Sequence, residues 1–423
     1  PEEMLIVREA EHYFLDLSQF TDALLDYLKG HEDHWRPNVL SFSRNFIAEG
    51  LRGRPITRDI DWGVRVPLEG WDEKRLYVWF EAVVGYFSAS IEWAHNIGQP
   101  EAWKQWWYNP EVEIYNFIGK DNIPFHTVIW PAELMGIDGL YNEGGGVPLQ
   151  LPYDVPANEF MNIEGKQFSK SRNWAIWLPD ILERYQADAI RYYVAVTFPE
   201  TRDSDFAWDG FLNRVNNELV AAWGNLANRM LSFAYKRFDG KVPVYDALTE
   251  DDGAILAQSE RAFDEIGGLL AAVKLRDAPQ AAMPLVRDAN AYLDRREPWK
   301  RIKEDPTDAA RSVYTILRVI DNLKILLAPY LPFSAQALHE YLGYDGQLFG
   351  DLTIETFHED ERAHQALVYD GADAIGRWQI SALAPGQSLR EPKPLFVKLD
   401  PEIVEQERSL LGAARDERAI EIG

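Results

Sequence analysis

The sequence of 423 residues contains no cysteine and no long apolar run. Without cysteine, neither a disulfide nor a thiolate zinc site can form within these residues. The eight histidines show no spacing typical of metal ligands, so a bound zinc ion is not expected. No stretch approaches the roughly 20 apolar residues that span a bilayer, and Pro1-Glu2-Glu3 does not resemble a secretory signal. A cytoplasmic protein of two or three domains, without membrane segments, is therefore expected.

Basic residues are also scarce. The chain has 43 lysines and arginines against 68 acidic residues, a formal charge of −25. Such a surplus argues against non-specific binding of nucleic acid, which needs a broad basic surface. Specific recognition of RNA requires only a local basic face, and residues 294–303 offer one, with five basic and two acidic side chains. Elsewhere the surplus carboxylates are typical of a solvated surface.

The first part of the chain shows an α/β pattern. Residues 1 to 60 have the three- and four-residue apolar spacing of helices. Further on, helical segments alternate with short apolar runs at 76–80, 111–118 and 160–163. This alternation predicts a parallel sheet with helices on both faces. Ligands bind outside the carboxyl ends of such strands, which is where Gly119 and Asp121 fall.

The second part has a helical pattern. An amphipathic helix is predicted at 180–197, and the strand pattern nearly vanishes beyond Asp205. Further helical segments follow at 211–238, 251–273, 276–293, 299–304 and 307–341. Their short connections predict an antiparallel bundle. Residues 392–399 are expected to be extended and 401–411 to form a last helix.

Two polar segments point to a known family. Residues 162–173 combine a strand end, a turn at Gly165 and a loop with Lys170 between two serines. Upstream stands Asn116-Phe117-Ile118-Gly119-Lys120-Asp121. Together they resemble the nucleotide-handling elements of class I aminoacyl-tRNA synthetases. The loop is similar to their KMSKS loop, and the Gly-Lys-Asp segment resembles that of the methionyl enzymes.

The resemblance covers nearly the whole chain and implies its fold. It implies the carboxyl-terminal half of a Rossmann-like α/β catalytic domain, followed by an all-α anticodon-binding helix bundle. The expected divisions start with the end of a connective insertion and the return to the catalytic domain at 1–60, followed by the second half of the catalytic domain at 61–155. A stem-contact region with the KMSKS-like loop is expected at 156–205, the anticodon-binding domain at 206–400, and a C-terminal helix or tail at 401–423.

Lys170 is the strongest catalytic candidate. Attack of a carboxylate on the α-phosphate of ATP builds charge on departing pyrophosphate, and a positioned ammonium stabilises it. A loop hinged near Gly165 would close over ATP and reopen for release. Gln167 stands where the family has its first lysine, so the adjacent Lys166 is a weaker candidate for that contact.

The resemblance also implies the other ATP contacts. Gly119 lets the nucleotide approach the backbone closely, and Asp121 is placed to accept hydrogen bonds from the ribose. Mg2+ would arrive with the nucleotide. The ATP-binding set is Gly119, Asp121, Lys166, Phe168, Ser169 and Lys170. Arg58 resembles a family arginine near the amino-acid and ATP site, and a surface salt bridge is a nearly equal alternative for it.

The segment from Tyr77 to Tyr86 carries a candidate methionine site. Trp79, Ala82, Val83 and Tyr86 share one face of a predicted helix. Two large aromatic side chains flanking small ones make a slot for a flexible apolar side chain, and sulfur–aromatic contact favours methionine. Taken alone, the pattern also fits core aromatic residues. The resemblance assigns the slot to methionine and adds Phe125 and His126, although the family commonly has proline where Val83 stands.

The helical part carries three candidate RNA contacts. Asn225 and Arg229 lie one helical turn apart, and Trp299 follows Pro298 at a predicted helix start. Unstacked bases are recognised by aromatic stacking and by hydrogen bonds to their edges. The resemblance implies that these three residues read the CAU anticodon of tRNA(Met). Without it, Trp299 fits a core residue and Asn225 a helix-surface residue.

One motif of the family does not occur. No His-x-Gly-His is present, although class I synthetases use such a HIGH-type motif to contact ATP phosphates. The sequence therefore predicts that the chain begins inside the connective insertion, as a fragment, as half of a split enzyme, or as an enzyme that has lost catalysis. A fragment is favoured.

The expected function is that of a methionine–tRNA ligase. Its substrates would be methionine, ATP and tRNA(Met), and a monomer is favoured. A related synthetase for leucine, isoleucine or valine and a non-catalytic tRNA-binding module are the alternatives.

Overall fold

A computed structural model describes residues 9–141, 146–358 and 363–413. The chain forms two compact units that divide between Phe160 and Met161. The predicted boundaries at residues 60, 155, 205 and 400 stay predictions. Within the described ranges, no helix is both long enough and apolar enough to cross a bilayer.

The first unit combines helices with very short strands. Its helices are Thr21–Lys29, Pro37–Ala48, Val78–Asn96, Lys104–Trp107 and Trp130–Ile137, with tighter turns at Leu17–Phe20 and Lys120–Asn122 and a wider π-helical turn at Phe125–Ile129. Its strands are Phe14–Leu15, Arg54–Pro55, Thr57–Arg58, Arg75–Leu76, Ile118–Gly119 and Ala157–Asn158. The first strand pairs antiparallel with the second, and the third pairs antiparallel with the fourth. The last two strands pair parallel with each other.

The strands are shorter than the apolar runs predict. The run 76–80 forms a strand only at Arg75–Leu76, because the helix Val78–Asn96 begins after Tyr77. The run 111–118 contributes only Ile118–Gly119, and the residues before it are joined to the neighbouring segment by single backbone bonds such as Tyr153 N to Ile114 O, 2.8 Å. Apolar content alone does not separate an extended segment from a paired strand.

Two apolar clusters hold this unit together. One surrounds Leu24, Val39 and Val128, and the other surrounds Phe87 and Trp130. The helix Trp130–Ile137 also buries Glu133, whose two carboxylate oxygens have no hydrogen-bond partner within the described structure. Burial disfavours the charged form and raises the pKa of Glu133 to about 8.

The buried carboxyl of Glu133 makes stability depend on pH. The pKa is about 4.5 when the chain is unfolded and about 8 when it is folded, so the folded state holds the proton more tightly. The contribution of Glu133 to the free energy of unfolding is therefore fully present below pH 4.5 and is lost as the pH rises from there through 8. Glu133→Gln, a neutral isostere, should raise the melting temperature at pH 8 and leave it nearly unchanged at pH 5. Glu101→Gln, at an exposed position, is the control. Equal shifts of the melting temperature of Glu133→Gln at both pH values would contradict the assignment.

The second unit is mainly a helix bundle. Its helices are Leu178–Arg184, Ala187–Val196, Trp208–Arg214, Asn225–Arg237, Glu250–Ala271, Asp277–Arg296, Pro298–Glu304, Pro306–Leu327, Pro332–Tyr341 and Ile403–Leu410, and a π-helical stretch, Val215–Gly224, joins the third to the fourth. The strands Met161–Ile163 and Ser204–Phe206 pair parallel. Proline at the first turn of several helices fits its fixed φ and missing N–H.

Three features of this unit differ from the predictions. The predicted segment 307–341 is divided into Pro306–Leu327 and Pro332–Tyr341. The amphipathic segment 180–197 forms two helices, because Tyr185 and Gln186 are extended and the Gln186 side chain bonds to the backbone of Leu395 and Val397. The bundle also carries an antiparallel hairpin of Asp351–His358 and Ala363–Asp370. This hairpin was not predicted, and the side chains on one of its faces, such as Ile354, are exposed rather than part of the core.

Candidate functional site: an aromatic slot, a lysine loop and an Arg–Trp pair

The helix Val78–Asn96 and the π-helical turn Phe125–Ile129 form an aromatic slot in the first unit. The rings of Trp79 and Phe125 stack at 5.3 Å. Trp79 and Tyr86 remain 47 % and 44 % exposed, so both rings are accessible to a ligand. Ala82 is exposed as well, whereas Val83 is buried in the cluster with Phe87. The predicted common face therefore holds for Trp79, Ala82 and Tyr86, while Val83 supports them from the core.

A hydrogen-bonded chain fixes the inner end of the slot. His126 Nδ1 lies 3.0 Å from the carbonyl oxygen of Asn122, and a carbonyl accepts only, so Nδ1 carries the proton. His126 Nε2 is then an acceptor, and the hydroxyl of Tyr86 donates to it at 2.9 Å. Burial lowers the pKa of His126 and favours its neutral form. The slot thus ends in a neutral tyrosine–histidine pair.

Sequence reasoning missed one member of this group. The ring of Trp130 is fully buried and lies 6.3 Å from the ring of Tyr86. Trp130 was assigned no role in the site from the sequence. The π-helical turn that precedes it widens the backbone between Phe125 and Trp130, and such turns are frequent at functional sites.

Arg58 lies beside the slot. Its guanidinium stacks 3.7 Å over the ring of Tyr77, and its Nη1 donates to the backbone oxygens of Pro55 and Thr57 at 2.9 and 2.8 Å. Arg58, Tyr77, Trp79 and Phe125 line one cavity of about 230 Å3. Arg58 is therefore held by an aromatic ring and by backbone oxygens, and its role near the amino acid and ATP stays a prediction.

The Gly119–Asp121 segment ends a parallel strand. Gly119 closes the strand Ile118–Gly119, and Asp121 is exposed in the turn that follows. A Cβ at Gly119 would meet no atom within 4 Å in the described structure, so the space beside the backbone is open. Lys120 Nζ pairs with Glu159 Oε2 at 2.6 Å. The strand end therefore presents an open backbone and an exposed carboxylate.

In the second unit, the Lys170 loop begins at a tight turn. Ile163 and Lys166 exchange backbone bonds of 2.8 and 3.0 Å across Glu164 and Gly165, whose φ angles are 48° and 72°. Two positive φ values are the signature of a type I′ hairpin turn. The ammonium of Lys166 lies 4.1 Å over the ring of Trp174.

The tip of the loop is exposed. Phe168 is 48 % exposed, and Lys170 and Gln167 are exposed as well. The hydroxyl of Ser169 accepts a bond of 3.1 Å from Arg172 Nε. Lys170 therefore stands on a solvent-facing turn, while Lys166 is held against an aromatic ring.

The helical bundle brings Arg229 and Trp299 together. The Arg229 guanidinium lies 5.0 Å over the ring of Trp299, and its Nη2 is 3.5 Å from the side-chain oxygen of Asn290. Asn225 is exposed one turn before Arg229. The sequence pattern did not single out Asn290, because its contact with Arg229 spans two helices. Pro298 and Trp299 follow Glu297, whose φ of 42° lets the chain turn from one helix into the next.

Comparisons with known proteins match both parts of the chain to the same kind of enzyme. Residues 2–231 match the family described as "tRNA synthetases class I (M)", and residues 242–416 match the "Anticodon binding domain of methionyl tRNA ligase". The chain is 52 % identical over 406 residues to the methionine–tRNA ligase of Thermomicrobium roseum, covering 96 % of the chain and 68 % of that protein. The chain belongs to the methionyl-tRNA synthetase family.

Other synthetases of this family agree. The methionine–tRNA ligase of Chloroflexus aggregans is 49 % identical over 417 residues, with 95 % of the chain and 68 % of that protein covered. The Mycobacterium tuberculosis methionyl-tRNA synthetase bound by methionyl-adenylate superposes with a TM-score of 0.73 at 26 % identity, covering 91 % of the chain and 68 % of that structure.

These matches confirm the family, the fold class and the assignment as a methionine–tRNA ligase. The fold is a class I synthetase catalytic domain followed by a helical anticodon-binding domain. The alternative of a leucine, isoleucine or valine enzyme is set aside, because the matched relatives are methionine–tRNA ligases. The prediction that the HIGH-containing half is missing is not supported, since the family match begins at residue 2.

Proposed function

We propose that the chain adenylates methionine with ATP and transfers it to tRNA(Met), with the residues described above in separate roles. The observation that carries the proposal is the slot of Trp79, Phe125 and Tyr86, closed by neutral His126. Two aromatic faces suit a thioether, which is apolar, flexible and polarisable. The similarity to a synthetase bound by methionyl-adenylate supports this assignment.

We assign the ATP contacts to the residues that the sequence analysis named for them. Asp121 would bind the ribose at the open backbone of Gly119, and Arg58 would contact the nucleotide or the amino acid from its stacked position. In the second unit, Lys170 would stabilise departing pyrophosphate, with Phe168 and Ser169 beside it. Lys166 is a weaker candidate, because its ammonium already lies on Trp174.

Magnesium would accompany the phosphates rather than bind a protein site of its own. Within the described ranges, no group of three or more histidine or acidic side chains is placed to hold a metal ion. A cytoplasmic location and a monomeric state remain part of the proposal.

The anticodon of tRNA(Met) would bind at Asn225, Arg229 and Trp299. The exposed amide of Asn225 offers both a donor and an acceptor to a base edge. Trp299 offers a face for stacking, and Arg229 is already held over that ring, with Asn290 beside it. Bases of single-stranded RNA are recognised by this combination.

The proposal is tested by exchange of pyrophosphate into ATP. Methionine should support exchange, while leucine, isoleucine and valine should not. Exchange that needs no amino acid, or that prefers a branched amino acid, would contradict the assignment of the slot.

Tyr86→Phe tests the inner end of the slot. The change leaves the ring but removes the donor to His126 Nε2, so a buried acceptor loses its partner. We expect the KM for methionine to rise about tenfold, as a loss near 1.4 kcal/mol predicts, with the KM for ATP little changed. Tyr141→Phe, which removes a hydroxyl elsewhere in the same unit, is the matched control. Equal methionine KM values in both variants would count against the role of the pair.

A further inference from the structure

The Lys170 loop is bounded by two residues in the left-handed region. Glu164, with φ 48°, starts the loop, and Asn173, with φ 49°, ends it. Asparagine adopts this conformation readily, but glutamate does so rarely. A strained residue of this kind persists only when the surrounding contacts hold it in place.

The last described helix holds the first of these residues. Arg408, on Ile403–Leu410, places Nη2 at 3.0 Å from Glu164 Oε2 and at 2.6 Å from Asp209 Oδ2. The other carboxylate oxygen of Glu164 accepts the backbone N–H of Trp208 at 2.7 Å. Both oxygens of Glu164 are thus engaged, and one of the two partners belongs to the last helix.

The residues after that helix hold the second boundary. Gly412 N–H donates to the carbonyl oxygen of Asn173 at 2.9 Å, and Asn173 Nδ2 donates to the carbonyl oxygen of Ala413 at 2.7 Å. The remaining side-chain oxygen of Asn173 accepts the indole N–H of Trp177 at 3.1 Å.

The helix is itself firmly attached to the bundle. Glu407 is buried and accepts bonds of 2.6 and 2.9 Å from Arg184 and one of 2.8 Å from the hydroxyl of Tyr185. A bidentate arginine–carboxylate pair is among the stronger side-chain contacts and fixes orientation as well as distance. A rigid support therefore contacts both boundaries of an otherwise exposed loop.

We propose that residues 403–413 form a latch that positions the Lys170 loop by fixing both of its boundaries. Arg408 and Asn173 act as positioning residues: motion is confined to residues 165–172, and Lys170 is held within a narrow range of positions. The catalytic part of this proposal rests on the proposed role of Lys170 in adenylation. The structural part, the restraint of the loop, does not depend on it.

Limited digestion with trypsin tests the restraint directly, because Lys166, Lys170 and Arg172 lie in the loop. Arg408→Gln removes the charge that engages Glu164. Asn173→Gly keeps a residue that tolerates positive φ but removes the side-chain bonds. Each variant should be cleaved in the loop about tenfold faster. Arg408→Gln loses a charge-assisted bond to Glu164, and Asn173→Gly loses two neutral side-chain bonds, and either loss is on the order of 1–2 kcal/mol. Arg408→Lys should be intermediate, and Arg390→Gln, which removes an exposed ion pair with Asp345 elsewhere in the unit, should match the unmodified protein.

Pyrophosphate exchange tests the link to catalysis. In both latch variants the KM for ATP should rise and kcat should fall. The KM for methionine should stay within about twofold of the value for the unmodified protein, a smaller change than the loss of one hydrogen bond to methionine would cause. Unchanged cleavage of the loop in both variants would overturn the latch, as would cleavage that increases equally throughout the chain. Faster loop cleavage with unchanged ATP kinetics would overturn the positioning role. If no variant and no control shows exchange, the proposed function fails, and the digestion alone decides the latch.

Discussion

Lys170→Ala is expected to lower the kcat of methionine-dependent pyrophosphate exchange by about 10²- to 10³-fold, the cost of removing one group that stabilises developing negative charge. The expected loss is large because the ammonium acts on charge that exists in the transition state and not in bound methionine. The KM for methionine should therefore change little. Lys170→Arg keeps the charge and should retain part of the activity.

Two comparisons make the Lys170 result specific. Lys236→Ala removes an exposed lysine of the same unit that has no part in the proposed site, and it should leave exchange unchanged. Binding of tRNA(Met) should be equal in all three lysine variants. A Lys170→Ala protein with normal kcat would show that this lysine is a solvated side chain of a surface loop.

Trp299→Ala is expected to weaken binding of tRNA(Met) by about 1–3 kcal/mol, the contribution of one stacked base, which is about 5- to 150-fold in affinity. The variant also frees the guanidinium of Arg229 from the ring over which it lies. Adenylation should be unaffected, because the slot and the Lys170 loop are unchanged. The measurement is a titration of labelled tRNA(Met) at a fixed salt concentration, since binding to RNA depends on salt.

Trp299→Phe separates stacking from packing. Trp299 packs partly against the bundle core, so the alanine variant also leaves a cavity, whereas phenylalanine keeps an aromatic plane. Phe333→Ala, which removes an aromatic side chain that is 67 % exposed elsewhere in the unit, is the matched control. If Trp299→Ala and Phe333→Ala bind tRNA(Met) equally, the anticodon role of Trp299 is wrong.

The sequence predicted the helical bundle well because its helices are long and their apolar spacing is regular. Glu250–Ala271 agrees with the predicted segment 251–273 to within two residues and begins at a capping residue, Thr249. The predicted segment 307–341 is helical over most of its length but is divided into Pro306–Leu327 and Pro332–Tyr341. Two-residue strands such as Ile118–Gly119 carry too little periodicity to be delimited in this way. The strands Asp351–His358 and Ala363–Asp370 were not predicted, and apolar side chains of both strands, such as Ile354 and Leu367, are exposed.

The candidate site was predictable where a local motif carries it. Tyr86 and His126 were both named from the sequence, but the bond between them depends on how two helices pack. Trp130 and Asn290 were missed for the same reason, since each contacts a named residue across an interhelical space. The latch is the extreme case, because Asn173 and Ala413 are 240 positions apart and Ala413 lies in no recognisable motif.

The most direct test of the account compares the affinity of the unmodified chain for tRNA(Met) with its affinity for the same tRNA carrying a changed CAU anticodon. We expect a loss of about 1–3 kcal/mol of binding free energy for each altered base, because stacking and base-edge contacts are lost. Equal affinity for both RNAs would contradict the assignment of Asn225, Arg229 and Trp299 to the anticodon.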